Sequence, residues 1–280
     1  MLEKKSLFVP AALCAAIWLS LCAAPALAQA PARLGAVAGN AVGDARVAAL
    51  IDELVTANRV LYSQGVVDGF GHISARSPLD PTHFFMARSV APSAVTAADI
   101  QEFDLDGKVV GADARAAYAE RFIHSEIYKV RADVKSVVHG HAPSVIPFSI
   151  TGVPLMPVYH MSGFLGTGAP VFDIRATPAD PETDLLVKSS PLGAALARTL
   201  GASAVVLMRG HGFTAVGGSV PVAVFRSVYT DMNAKIEIEA LKLGKPLFLS
   251  AREAALTQET MERLSVRSWE MWKAQAAAIK

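Results

Sequence analysis

The sequence predicts a three-layer α/β/α domain with a mainly antiparallel or mixed central sheet. Two observations predict it. Helical periodicities are interleaved with short β-rich runs along the chain, and several of those runs are joined by hairpin signals rather than by helices. A third observation removes a common rival. No G-x-G-x-x-G follows the first strand, so a dinucleotide-binding fold is not expected.

The order begins with a segment that is not part of the domain. Residues 1–28 read as a secretory signal peptide: Lys4 and Lys5, then a mostly apolar run from Leu7 to Leu21, then Ala26-Leu27-Ala28 as the cleavage signal, cut after Ala28. A periplasmic or secreted protein is therefore expected. Both cysteines, Cys14 and Cys22, lie inside that segment. The mature protein then has no disulfide, no thiol chemistry and no thiolate metal ligand. The whole chain of 280 residues carries 26 basic and 25 acidic side chains; removing Lys4, Lys5 and Glu3 leaves 24 of each. No basic face points to nucleic acid, and no stable membrane insertion is expected after cleavage. Residues 29–44, rich in Ala, Gly and Pro, read as a flexible leader, and 45–280 as a single domain.

Within the domain, residues 45–64 read as an amphipathic helix, with Val47, Leu50, Ile51, Leu54 and Leu61 on one face and Gly65 as its stop. Gly71–Arg76 and His83–Met86 read as strands, and Phe103–Val110 as a hairpin turning at Asp106-Gly107. Residues 115–130 read as a helix that places Glu120, His124 and Tyr128 on one face. Val134–Val138 reads as a strand ending at His139-Gly140-His141, and Met156–Tyr159 as a strand ending at His160. A helix over 191–200 precedes a buried strand, Ala204–Met208, which runs into Arg209-Gly210-His211-Gly212. Val216-Gly217-Gly218 reads as a turn. Two long helices close the chain, about Val220–Leu243 and 251–279.

The chemistry-bearing residues lie at the ends of these runs. In extended chain, residues i and i+2 point the same way, so His139 and His141 can chelate one ion. His211 ends another buried strand between two glycines, which allow close backbone approach. Three neutral imidazoles with an open position describe a catalytic zinc site. An H-x-H pair also occurs on ordinary surfaces, and Glu120 can equally be a solvated glutamate pairing with Lys129 or Arg121.

Four ordered motifs go further. They are Gly65-Val66-Val67-Asp68-Gly69-Phe70-Gly71-His72-Ile73-Ser74, Glu120-Arg121-Phe122-Ile123-His124, Val137-Val138-His139-Gly140-His141 and Leu207-Met208-Arg209-Gly210-His211-Gly212. In order and spacing they resemble the class II aldolase/adducin family over residues 50–243. The resemblance implies His139, His141 and His211 as ligands of one divalent metal ion, zinc first, with Mn2+, Co2+ or Fe2+ as alternatives. It implies Glu120 as the group that moves the proton while the metal stabilises an enediolate or carbanion. It also implies a homo-oligomer, commonly a tetramer, acting on a small molecule, with Trp269 and Trp272 either completing a neighbour's pocket or packing against their own helix's core.

The sequence departs from the sugar-phosphate branch at three places. Ala116-Ala117-Tyr118-Ala119 replaces a serine pair, His72 replaces an asparagine in the Gly-His-Ile-Ser turn, and Ser89-Val90-Ala91-Pro92 replaces a threonine-glycine loop. The expected reaction is therefore carbon–carbon lysis of a non-phosphorylated hydroxy-carbonyl compound. Decarboxylation of a hydroxy-aromatic or keto acid is the alternative, since the His72 variant resembles a branch holding such decarboxylases. A non-catalytic, adducin-like binding module is the third reading. The expected substrate contacts are His72, Ser74 and His160, with Arg88 or Arg209 holding a carboxylate.

Overall fold

The computed structural model describes residues 41–177 and 182–278, without the side chains of 41–44. The signal peptide, its cleavage point and most of the leader lie outside the described residues. Residues Asn40–Lys280 form one compact unit.

Among the described residues, seven strands form one sheet in the order β3-β2-β1-β4-β7-β6-β5. They are β1 His72–Arg76, β2 His83–Ala87, β3 Ile100–Asp104, β4 Ser136–Gly140, β5 Val171–Phe172, β6 Val205–Met208 and β7 Gly212–Gly217. Every neighbouring pair is antiparallel except β5 with β6, so the sheet is mixed and mainly antiparallel, as expected. The helices are α1 Ala41–Ser63, α2 Arg121–Val130, α3 Ile146–Ile150, α4 Ser190–Leu200, α5 Val220–Leu243 and α6 Ala251–Ala277.

Strand parity explains the three layers. On β6, Val205 and Leu207 join the core beneath α1, α5 and α6, while Val206 and Met208 join the core beneath α2 and α4. A strand covered on both faces buries every residue, and β1, β4, β6 and β7 do so. The same parity sorts the site residues. Ile73, Ala75 and Val138 point to the α1/α5/α6 layer. Val137 points the other way, into the α2/α4 layer, and so therefore do His72, Ser74 and His139. Trp269 and Trp272 are buried in the first core, so within this chain they pack against their own surroundings.

Local chemistry fixes the helix starts. Ser219 accepts a hydrogen bond from the Val222 N–H and Pro221 sits in the first turn of α5. Ser250 and Glu253 form a reciprocal capping box on α6, a device worth about 1 kcal/mol. No helix among the described residues is long and apolar enough to cross a membrane.

Four boundaries differ from expectation. α1 begins at Ala41, inside the expected leader. α2 begins at Arg121 rather than 115, so Glu120 immediately precedes the helix instead of sharing its face. Arg88 pairs with Ala117 through an isolated bridge, which holds the preceding segment extended. β7 continues through Val216 and Gly217, where a turn was expected.

The fourth difference is Met156–Tyr159, which is not a strand. Its backbone partners are side chains of α5: Glu237 accepts from the Met156 N–H at 3.0 Å, and Asn233 accepts from Val158 at 3.0 Å and donates to the Met156 carbonyl at 2.7 Å.

Glu237 itself is fully buried, and its second oxygen has no partner. Burial pushes its carboxyl up, against the pull of the Met156 N–H and Asn233, to about 7. An acid with a raised folded pKa destabilises the fold once the unfolded chain has ionised and the folded one has not. Stability from this group is thus intact below about 4.5 and falls as pH rises to about 7, a loss of about 3 kcal/mol. Glu237→Gln keeps an acceptor for Met156 and removes the titration. Thermal melts at several pH values should show the variant gaining on wild type from pH 5 to pH 8. Parallel curves would refute the assignment.

Candidate active site

The site forms where the ends of β4 and β7 meet the start of α2. His139 is the last side chain of β4, opposite Thr214 of β7 and His72 of β1. His141 lies just past the strand, its N–H bonded to the Val66 carbonyl at 3.2 Å. His211 sits in the β6–β7 turn, where its N–H reaches the Met208 carbonyl at 3.0 Å and Gly210 takes φ +64. Ser149 of α3 accepts from the Gly210 N–H at 3.0 Å and pins that turn.

These residues converge with Glu120: one ligand-type atom from each of the four lies within 4.8 Å of all the others. Glu120 Oε2 is 3.5 Å from both His139 Nε2 and His211 Nε2. His211 Nε2 and His141 Nε2 face one another at 3.1 Å. Tetrahedral zinc with nitrogen ligands needs ligand atoms roughly 3.4 Å apart, so the spacing suits one ion.

The tautomers fit as well. Each of His139 and His211 can donate its Nδ1–H to a carbonyl, Phe213 at 3.1 Å and Leu185 at 2.9 Å. Each then turns a lone pair on Nε2 toward the cluster, the usual state of a ligating histidine. His139 Nε2 is buried with no hydrogen-bond partner among the described residues. An orphaned acceptor of this kind is costly unless a cation or donor faces it.

Electrostatics point the same way. Burial, then the charges of His139 and His211, push His141 down to about 3. Burial and His139 likewise lower His211, favouring the neutral, ligating form. Burial alone would raise Glu120. Positive charge in the cluster, on His139 or His211 when protonated or on a bound cation in their place, outweighs it together with the Val187 N–H, which donates to Oε1 at 2.8 Å, and holds the carboxyl at about 2. Glu120 is therefore ionised at ordinary pH.

Above the cluster opens a cavity of about 490 Å³. Phe70, Tyr118 and Leu186 supply its apolar wall, while His72, Glu120, His141 and His211 supply its polar floor. Asp68 and Ser89 also line it, and among the described residues neither lysine nor arginine does.

The expected substrate contacts divide accordingly. His72 lines the cavity. Ser74 does not: it is fully buried behind His72, bonded to His124 at 2.6 Å and Tyr128 at 2.8 Å. Arg88 turns its Nε to Asp99 at 2.7 Å, and Arg209 turns its own to Asp173 at 3.0 Å. Neither guanidinium lines the cavity, and neither does His160, which is exposed and edge-on to Tyr159. Asp99 and Asp173 engage the two guanidinium groups, and His160 starts the short helical turn His160–Leu165, away from the lining.

Sequence reasoning missed Phe70, Tyr118 and the 185–187 strap. The strap holds two cluster residues through backbone groups, the Leu185 carbonyl on His211 and the Val187 N–H on Glu120. Leu185 has φ +70, the only non-glycine with positive φ among the described residues, and strain of this kind concentrates at functional sites. No side-chain motif announces a contact made by backbone atoms.

Gly212 is a second requirement of the site. A Cβ there would lie 2.3 Å from the Gly140 carbonyl oxygen and 3.1 Å from the His141 ring. Gly212→Ala must separate the ends of β4 and β7 and move His141. Metal affinity should fall roughly tenfold or more, read by titration with a chelating indicator. Unchanged affinity would show that the cluster tolerates the shift.

The fold and this cluster define a three-layer α/β enzyme with a partly buried three-histidine, one-glutamate centre beneath an apolar-walled cavity. More narrowly, the chain belongs to the class II aldolase and adducin family, whose N-terminal domain profile matches residues 52–238. It is 42% identical over 235 residues to the decarboxylase tropJ of Talaromyces stipitatus, covering 76% of this chain and 88% of that one. It is 29% identical over 206 residues to the 3,4-dihydroxyphthalate decarboxylase of Arthrobacter keyseri, covering 70% and 80%. Among solved structures, the L-fuculose 1-phosphate aldolase from Glaciozyma antarctica PI12 superposes with a TM-score of 0.70 at 22% identity, over 85% of this chain and 92% of that one. That likeness is one of fold. With decarboxylases among its relatives, the chain is an enzyme of the lyase type.

Proposed function

We propose that this chain is a divalent-metal-dependent decarboxylase of a hydroxylated aromatic acid. The observation that carries the reading is the cavity: an aromatic and aliphatic wall of Phe70, Tyr118 and Leu186 over a polar floor, with no cationic side chain to hold a phosphate. A planar ring fits such a wall. The similarity to tropJ and to 3,4-dihydroxyphthalate decarboxylase supports the same choice. The two lyase readings of the sequence thereby exchange places, and aldol cleavage of a hydroxy-carbonyl compound becomes the second. The adducin-like binding module, toward which the similarity to beta-adducin points, is the weaker reading, because the histidines and the glutamate are all present and convergent.

His139, His141 and His211 would hold the ion, proposed as zinc. A divalent ion there supplies Lewis acidity toward adjacent substrate oxygens. The chain's residues do the rest. Glu120, ionised and fixed by Val187, takes the proton of a substrate hydroxyl. The bond between ring carbon and carboxylate breaks, carbon dioxide leaves, and the electron pair stays on the ring carbon. Glu120 returns its proton to that carbon, and the product's hydroxyl is reprotonated from solvent. Tyr118 and Phe70 hold the ring in plane and exclude water.

The test is a panel of hydroxybenzoates and hydroxy-carbonyl compounds offered to metal-loaded protein, with carbon dioxide and aldehyde measured. Carbon dioxide from an aromatic acid supports the reading. Aldehyde alone would replace it with the aldol reading, and neither, with metal bound, would defeat both. Export through residues 1–28 belongs to the same proposal and is checked by N-terminal sequencing of the mature protein. A homotetramer is proposed too; exposed Met232, Ile236 and Leu241 on α5 offer apolar surface for it, and light scattering gives the count.

A further inference from the structure

Behind the cavity runs a line of four hydrogen-bonded side chains. His72 Nδ1 meets His124 Nε2 at 2.7 Å, His124 Nδ1 meets Ser74 Oγ at 2.6 Å, and Ser74 Oγ meets the Tyr128 hydroxyl at 2.8 Å. All four residues are buried. Parity puts them together: His72 and Ser74 share a face of β1, and His124 and Tyr128 are four apart on α2.

A chain of this kind can run in two directions, and the far end decides between them. Outward from the core, the Tyr128 O–H donates to Ser74, Ser74 donates to His124 Nδ1, and His124 Nε2–H donates to His72 Nδ1. Every hydrogen inside the line then has an acceptor, and the His72 Nε2–H is left facing the cavity. In the reverse direction the Tyr128 hydrogen has none, because Ser74 is the one acceptor that hydroxyl meets among the described residues; its other neighbour, the Val137 N–H, can only donate. A buried, unsatisfied donor makes the reverse direction the costlier one. Arg76 strengthens the outward choice. Its guanidinium carbon stands 4.6 Å from the centre of the Tyr128 ring and draws electron density from it, which makes the phenol a better donor. Arg76 is itself anchored by the Val134, Tyr128 and Arg131 carbonyls.

The outward direction has a consequence at the cavity. His72 Nδ1 must accept, so a neutral His72 carries its hydrogen on Nε2. That nitrogen has no protein partner among the described residues, and His72 lines the cavity with Tyr118 against its ring at 4.6 Å. We propose that Tyr128, Ser74 and His124 are positioning residues that lock His72 as an Nε2–H donor, which receives an anionic oxygen of the substrate beside the three-histidine cluster. With no lysine or arginine in the lining, this is how a carboxylate can be met without a cationic side chain. The substrate half of the proposal rests on the decarboxylase reading; the tautomer half does not.

NMR of the full chain with isotope-labelled histidine separates the two neutral tautomers directly, without metal or substrate. Wild type should show His72 as Nε2–H. Tyr128→Phe and Ser74→Ala should shift it toward Nδ1–H, and Ser74→Thr, which keeps the hydroxyl, should not. On zinc-loaded protein, both breaking variants should bind protocatechuate roughly tenfold more weakly, the worth of one hydrogen bond to a charged group, and catechol as before. An Nδ1–H His72 in wild type overturns the proposal, whether or not the variants fold. So does equal loss for the acid and for catechol, which would be a merely structural effect. If no acid releases carbon dioxide yet the tautomer and the acid preference hold, the decarboxylase reading fails and the device stands.

Discussion

His139→Ala should empty the centre. Wild type, purified with metal supplied, should carry about one equivalent; the variant should carry none after brief exposure to a chelator, and no turnover. His139 is expected to show the largest effect of the three histidines because its surroundings are the most committed. It is fully buried, its Nδ1 is engaged by Phe213, and its Nε2 is the one cluster nitrogen that is both enclosed and unpartnered. His141 and His211 are partly exposed, and a water can take the place of either. His139 is fully enclosed and does not line the cavity, so a replacement ligand is least favoured there. Removing a buried imidazole ring also leaves a void, so a melting curve must accompany the metal assay. Elemental mass spectrometry decides. A folded His139→Ala protein that keeps its equivalent would mean that the ion, if any, sits elsewhere.

The residues of this centre were legible because strand parity is a covalent fact. His139 and His141 are two apart, and no tertiary packing can place them on opposite faces while the chain stays extended. The mixed sheet was legible for a related reason, since hairpin signals such as Asp106-Gly107 act within a few residues. What was not legible depends on long-range partners. Met156–Tyr159 has the composition of a strand, but Asn233 and Glu237, more than seventy residues away in sequence, satisfy its backbone in place of a ladder. Ser74 looks like a substrate contact in a one-dimensional motif and turns out to stand one layer behind the cavity. Arg88 and Arg209 look like carboxylate clamps until Asp99 and Asp173 are seen to engage them. A sequence shows which groups can do chemistry; it does not show which of them another side chain has already engaged.

Glu120→Gln separates holding the ion from moving the proton. The substitution is nearly isosteric, and the amide oxygen can still accept from the Val187 N–H, so the strap and the start of α2 should survive. What is lost is the ability to take a proton and return it, worth typically 10²–10⁴-fold in turnover. The expected result is therefore a folded, metal-bearing protein with kcat reduced by that order and KM little changed. The wild-type control sharpens this. Because positive charge in the cluster and the Val187 N–H hold the carboxyl at about 2, Glu120 stays ionised as pH falls from 8 to 5, and its role as acceptor should not be lost over that range. A loss of activity there must come from another group. If Glu120→Gln instead loses its metal along with its activity, the carboxylate is chiefly a ligand. The proton must then move by another route, and His72, which lines the cavity with Asp68 and Ser89, is where it would first be sought.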